Sequence, residues 1–153
     1  MNNNDVIRSV RYMLDISDAK VAAIFALGDF DATKADIIDL LKKDEEEGFL
    51  PCDDDAMAHF LNGLVIYRRG KNDAHPAVPM ELPLDNNKIL KKLRVAFELK
   101  DDDMQAILDS AGFLVSKQEL SAFFRKTDHK NYRPCGDQFM RNFLKGLTMR
   151  FRS

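Results

Sequence analysis

The sequence repeats itself. Asn3-Asn4 returns as Asn86-Asn87, Arg11 as Arg94, Asp18 as Asp101, Ile24 as Ile107 and Phe30 as Phe113. Pro51-Cys52 returns as Pro134-Cys135, and Phe60-Leu61-x-Gly63-Leu64 as Phe143-Leu144-x-Gly146-Leu147. Every pair is 83 positions apart with no gap, and about a quarter of the aligned positions are identical. A tandem duplication constrains the fold more than any single motif, because both copies must adopt the same structure. A copy of about 70 residues has a marginal core alone, so the two copies are expected to pack on each other. Between them, Asn72 to Asp85 holds Pro76, Pro79 and Pro83 and reads as an extended, semi-rigid linker. The expected organisation is a first repeat over 1–71, a linker over 72–85 and a second repeat over 86–153.

Each copy reads as four helices. The first is expected to start after Asn4 or Asn87 as N-cap, with Val6, Val10, Met13 and Leu14 matching Ile89, Leu93, Ala96 and Phe97 at helical spacing. The second opens at Asp18 or Asp101 and stops near Gly28 or Gly112. The third opens on a capping box, Thr33-x-x-Asp36 or Ser116-x-x-Glu119. The fourth follows Pro-Cys and carries Met57, Phe60, Leu61 and Leu64, or Met140, Phe143, Leu144 and Leu147, an i, i+3, i+4, i+7 stripe. No stretch shows the period-two alternation of a half-buried strand. The expected fold class is all-α, two tandem pseudo-symmetric four-helix repeats packed together. Gly63 and Gly146 lie mid-helix on the stripe side, where glycine costs about 1 kcal/mol relative to alanine. Close approach of another helix backbone is the expected compensation.

The net charge of −2 conceals a division. Residues 1–84 carry nine basic and sixteen acidic side chains, net −7; residues 85–153 carry fourteen and nine, net +5. Such asymmetry points to an anionic partner for the second repeat, or to mutual attraction of the halves. The corner before the last helix shows it locally. Glu45-Glu46-Glu47-Gly48-Phe49-Leu50 in the first copy corresponds to Asp128-His129-Lys130-Asn131-Tyr132-Arg133 in the second. The third helix of the second copy is expected to expose Lys117, Gln118, Ser121 and Arg125, where the first copy has Lys34, Ala35, Ile38 and Lys42. The candidate binding residues are therefore Lys117, Gln118, Ser121, Arg125, His129, Lys130 and Arg133, types that suit phosphate and groove contacts.

Catalytic and metal signatures are absent. There is no Cys-x-x-Cys, no His-x-x-x-His, no Gly-rich phosphate loop and no Gly-x-Ser-x-Gly. The acidic runs Asp44–Glu47, Asp53–Asp55 and Asp101–Asp103 read as solvated caps rather than calcium loops. No metal, cofactor or catalytic residue is assigned. Cys52 and Cys135 sit at equivalent positions and read as small buried packing residues. Met1-Asn2-Asn3-Asn4-Asp5 has no signal-peptide character and no apolar run would span a bilayer, so a cytoplasmic setting with reduced thiols and no membrane partner is expected.

A family resemblance joins these readings. Arg8-Ser9-Val10-Arg11-Tyr12, Phe60-Leu61-Asn62-Gly63-Leu64 and Arg69-Gly70-Lys71 carry it in the first copy. Leu90-Lys91-Lys92-Leu93-Arg94, Asp128-His129-Lys130-Asn131 and Cys135-Gly136-Asp137-Gln138-Phe139 carry it in the second. The chain resembles the YehS family of small bacterial proteins, a duplicated domain of unknown function. The resemblance implies a bacterial cytoplasmic protein with two tandem copies and no assigned activity. The expected function is a non-catalytic interaction or regulatory module that engages a protein or nucleic acid through its basic second repeat. One alternative is a nucleic-acid-binding protein of helix-turn-helix-like outline, from the short Gly-containing turn between helices two and three. Another is an enzyme built on Cys135 and His129. Homo-oligomerisation is a further expectation.

Overall fold

The computed structural model describes residues 1–71 and 80–152. Most of the proline linker, including Pro76 and Pro79, lies outside the described residues. Among the described residues there are eight α-helices and no strand: α1 (Asn3–Leu14), α2 (Asp18–Leu27), α3 (Lys34–Leu40), α4 (Asp54–Arg69), α5 (Asn86–Ala96), α6 (Asp101–Ser110), α7 (Lys117–Ala122) and α8 (Asp137–Arg152). No helix among them is long and apolar enough to cross a membrane. The chain divides into two compact units, residues 1–84 and 85–153, with four helices each.

In the first unit Val6, Ile7, Val10 and Met13 of α1 meet Ile24 and Phe25 of α2, Ile37 and Leu40 of α3, and Met57, Phe60, Leu61 and Leu64 of α4 in one buried core. The second unit repeats it with Ile89, Leu90 and Leu93, then Ile107 and Leu108, Leu120, and Met140, Phe143, Leu144 and Leu147. Both capping boxes at α3 and α7 form as expected, with Thr33 and Ser116 accepting from the backbone of Asp36 and Glu119. Arg11 pairs with Asp18 at 3.0 Å, and Arg94 with Asp101 at 2.7 Å, which accounts for the recurrence of both residues.

The glycine stripe explains the packing of α4 and α8. A Cβ on Gly63 would lie 1.8 Å from the Ile24 carbonyl oxygen, and one on Gly146 would lie 2.0 Å from that of Ile107. In each unit the last helix rests directly on the backbone of the second, and the penalty for a mid-helix glycine is offset by that approach. Gly28 caps the C-terminus of α2, where the helix was expected to stop, but not through a left-handed conformation. The left-handed residue after α2 is Asp29 (φ 64°), whereas Gly28 has an ordinary φ and lies against α4, its Cβ position 1.9 Å from the His59 carbonyl oxygen. In the second unit Gly112 does adopt the left-handed conformation, φ 76°.

Candidate functional site

The corner before the last helix is built on the paired asparagines. They are not the N-caps the sequence pattern predicts: α1 is capped by Asn2 and α5 by Asp85, each two positions earlier. Asn4 and Asn87 instead point inward, 1% and 7% exposed. Asn4 Nδ2 donates to the carbonyls of Leu40 (2.8 Å) and Leu50 (2.9 Å), while its Oδ1 accepts from Cys52 N at 2.9 Å. Asn87 repeats this with Phe123 O (3.0 Å), Arg133 O (2.8 Å) and Cys135 N (2.8 Å). Asn3 and Asn86 donate to the carbonyls of Cys52 and Cys135, each at 3.0 Å, and to Asp54 and Asp137. An otherwise irregular segment is thus fastened through its backbone, which leaves its outward side chains free to differ.

They do differ. In the second unit Gln118, Arg125, Lys130 and Arg133 line one half-open groove of about 660 Å³, together with Ser116, Glu119, Ala122, Asn131 and Tyr132. Lys117 and Ser121 are exposed on α7, and His129 is exposed on the loop, but none of the three lines the groove. Arg125 is not on the third helix, because α7 ends at Ala122; it lies in the loop and donates to Asn131 O at 3.3 Å. His129 Nδ1 accepts from Asn131 N at 3.0 Å, and Arg133 N donates to Ala122 O at 3.2 Å, so the loop closes on itself and on α7. Partial burial, then the nearby Asp85 charge, holds the Tyr132 phenol above its ordinary pKa, so it stays a protonated donor.

Among the described residues, no carboxylate pairs with Lys117, Arg125, Lys126, Lys130 or Arg133. The first unit shows what has been lost. There Lys42, the counterpart of Arg125, pairs with Asp39 at 2.8 Å and donates to Glu47 O at 2.9 Å. Ala122 stands where Asp39 does, so the second unit keeps the cation and lacks its counter-ion. A groove with three cations and one carboxylate, Glu119, favours an anion.

Sequence reading named the cations and placed Asn131 and Tyr132 in the same loop without singling them out, and it took Asn87 for an N-cap. The signal for Asn87 was in the repeat: N-caps accept Ser, Thr, Asp or Asn, yet both copies keep asparagine at this position. The helix-turn-helix outline is not what forms. Six residues separate α2 from α3 and α6 from α7, where that motif uses three or four, and α7 itself has six residues.

Cys135 is unsuited to nucleophilic attack. Burial, then Asp137 and Asp85, pushes its thiol up to about 12, and Cys52 is pushed to about 12 by burial, Asp53 and Asp54. The nucleophile is the thiolate, and a thiol raised this far above neutrality stays protonated. The Cys135 Sγ contact runs to its neighbour's carbonyl, Gly136 O at 3.8 Å, while His129 Nδ1 is engaged by Asn131. Both cysteines are expected to react with a thiol reagent at least a hundredfold more slowly in the native chain than in urea. Rapid native labelling of Cys135 alone would return it to candidacy as a nucleophile. No group of three or more His, Cys, Asp or Glu side chains is placed to hold a metal among the described residues.

A family model described as protein of unknown function (DUF1456) matches twice, over residues 3–70 and 86–153. The chain is 49% identical to the uncharacterized protein YehS of Escherichia coli (strain K12) over 150 residues, covering 98% of this chain and 96% of that protein. No solved structure matches.

Proposed function

We propose, for a chain that belongs to the DUF1456 family of unknown function, that it is a non-catalytic interaction module whose second repeat receives an anionic group of a macromolecular partner. The observation that supports this most is the groove beside α7, where Arg125, Lys130 and Arg133 gather without the counter-ion that Asp39 gives Lys42, the counterpart of Arg125, in the first repeat. Gln118, Asn131 and Tyr132 add neutral hydrogen-bonding groups that orient an anion rather than merely attract it. With α7 too short for a recognition helix, a nucleic acid here is held by its phosphates and not read by its base edges.

Binding to labelled single-stranded oligonucleotide pools, followed by fluorescence anisotropy, tests the reading. With about three phosphate contacts, one for each cation of the groove, affinity is expected to fall roughly twentyfold between about 50 and 200 mM salt. A Lys130→Glu, Arg133→Glu variant is expected to bind at least tenfold more weakly at the lower salt. Both side chains are exposed, so the fold should be retained. Absence of binding at low salt, or equal binding by the variant, would set the polyanion reading aside.

A further inference from the structure

We infer that the groove of the second repeat also receives the acidic corner of the first repeat from a second copy of the chain. The inference rests on the groove being an anion site and names one occupant for it. Three observations point to that occupant.

The first is charge at equivalent places. Glu47 occupies in the first repeat the position that Lys130 occupies in the second, on a loop fastened by the same asparagine lock. The net charges of the two units are opposite, −7 and +5. The second is availability. Asp44 is engaged by Asn2 and Glu46 caps Lys43 N, but the carboxylates of Glu45 and Glu47 have no hydrogen bond or ion pair among the described residues. Two free carboxylates on one corner thus match three uncompensated cations in the groove.

The third is apolar surface on the same corner. Ile38 and Leu50 are 43% and 38% exposed, and they stand where the second repeat has Ser121 and Arg133. Leu50 N donates to Asp39 O at 3.1 Å, which places Leu50 beside α3 and so beside the Ile38–Asp39 turn. Charge alone makes a weak, screened contact. Apolar side chains within the acidic rim give the corner something to bury once it is docked. The contact is heterologous, one surface on each copy, and its two surfaces lie on different repeats.

A charge-swap experiment decides it. At about 50 mM salt the wild-type chain is expected to sediment above its 17.5 kDa monomer mass. Raising salt to about 500 mM is expected to weaken association at least tenfold. Two variants separate the surfaces: Glu45→Lys, Glu47→Lys reverses the acidic corner, and Lys130→Glu, Arg133→Glu reverses the groove. Each alone sets like charges against each other and is expected to be monomeric. Mixed in equal amounts, they restore opposite charges at both contacts and are expected to associate again. A wild-type chain that stays monomeric at about 100 µM and low salt, or a mixture that stays monomeric while the wild type associates, overturns the inference. The oligonucleotide assay keeps the two proposals apart. Glu45→Lys, Glu47→Lys retains the groove and should bind oligonucleotides as tightly as wild type or more so. Monomeric wild type that still binds them defeats self-association alone; charge-swap recovery without oligonucleotide binding defeats the polyanion reading alone.

Discussion

Alanine at Gly146 is expected to destabilise the second unit by about 3 kcal/mol, the reverse of what helix propensity dictates. In a solvated helix, glycine to alanine stabilises by about 1 kcal/mol. Here the new methyl would lie 2.0 Å from the Ile107 carbonyl oxygen and 2.8 Å from its carbonyl carbon and from its Cγ2. Backbone does not move aside as a flexible side chain does, so α8 must lift away from α6. Lifting opens the packing around Phe143 and Leu147, both fully buried, and the overpacking penalty exceeds the gain in propensity. Gly63→Ala should behave the same way against Ile24, with a slightly closer approach of 1.8 Å. Lys145→Ala, one residue from Gly146 and exposed, serves as the control and should stay within about 0.5 kcal/mol of wild type. Urea unfolding measures all three. A Gly146→Ala chain as stable as wild type would show that α6 and α8 are not in backbone contact.

The second large effect concerns Asn87. Changing it to alanine leaves the Phe123 and Arg133 carbonyls and the Cys135 N–H without their buried partner. Each such group costs about 1–3 kcal/mol when nothing replaces the bond, and partial water entry brings the expected total to about 3 kcal/mol. Asn87→Asp is the sharper test. It is nearly isosteric and keeps the acceptor for Cys135 N, but it turns the double donor into a charged acceptor facing two carbonyls. It should be at least as destabilising as alanine, and its deficit should shrink as pH falls through the carboxyl's raised folded-state pKa, since only the protonated form can donate. The Arg133 carbonyl is one of the anchored atoms, so either variant should also weaken anion binding without touching the ligand. Equal stability of Asn87→Asp and wild type would mean the lock does not hold the corner.

The helices were legible because they are written in periodic apolar positions and caps, both local. Val6, Val10 and Met13 fall on one face by spacing alone, and Ser116 and Glu119 announce a capping box within four residues. The glycines on the α4 and α8 stripe were legible in role, because a mid-helix glycine kept in both copies needs a physical reason. The lock was not. Asn4 reaches Leu40, Leu50 and Cys52, 36 to 48 residues away, and a polar residue near a helix start has a ready local explanation as a cap. Arg125 was misplaced for a related reason. The helical pattern continues past Ala122 through Phe123 and Phe124, but α7 stops early and both phenylalanines pack from the turn that follows. The cations were legible as a list. That they lack counter-ions was not, since this depends on Ala122 replacing the acid that Asp39 supplies to Lys42.

The lock has a consequence for how the chain reaches its native state. Asn3-Asn4 and Asn86-Asn87 make the same hydrogen bonds to the same backbone atoms, so α1 and α5 carry interchangeable keys. Backbone recognition cannot tell the correct corner from the other; only the side chains flanking each key can, Ile7 and Met13 against Leu90 and Ala96. Misassembly between repeats is the characteristic failure of such chains. Synthesis from the N-terminus avoids it. At roughly 5–20 residues per second, the ribosome takes about a second or more to pass from the end of α4 to Asn86, long against helix formation and collapse. Every residue of the first corner is therefore made before the rival key exists. Refolding from denaturant offers both keys at once, so exchanged pairings should accumulate there as a slow phase that vectorial synthesis never enters.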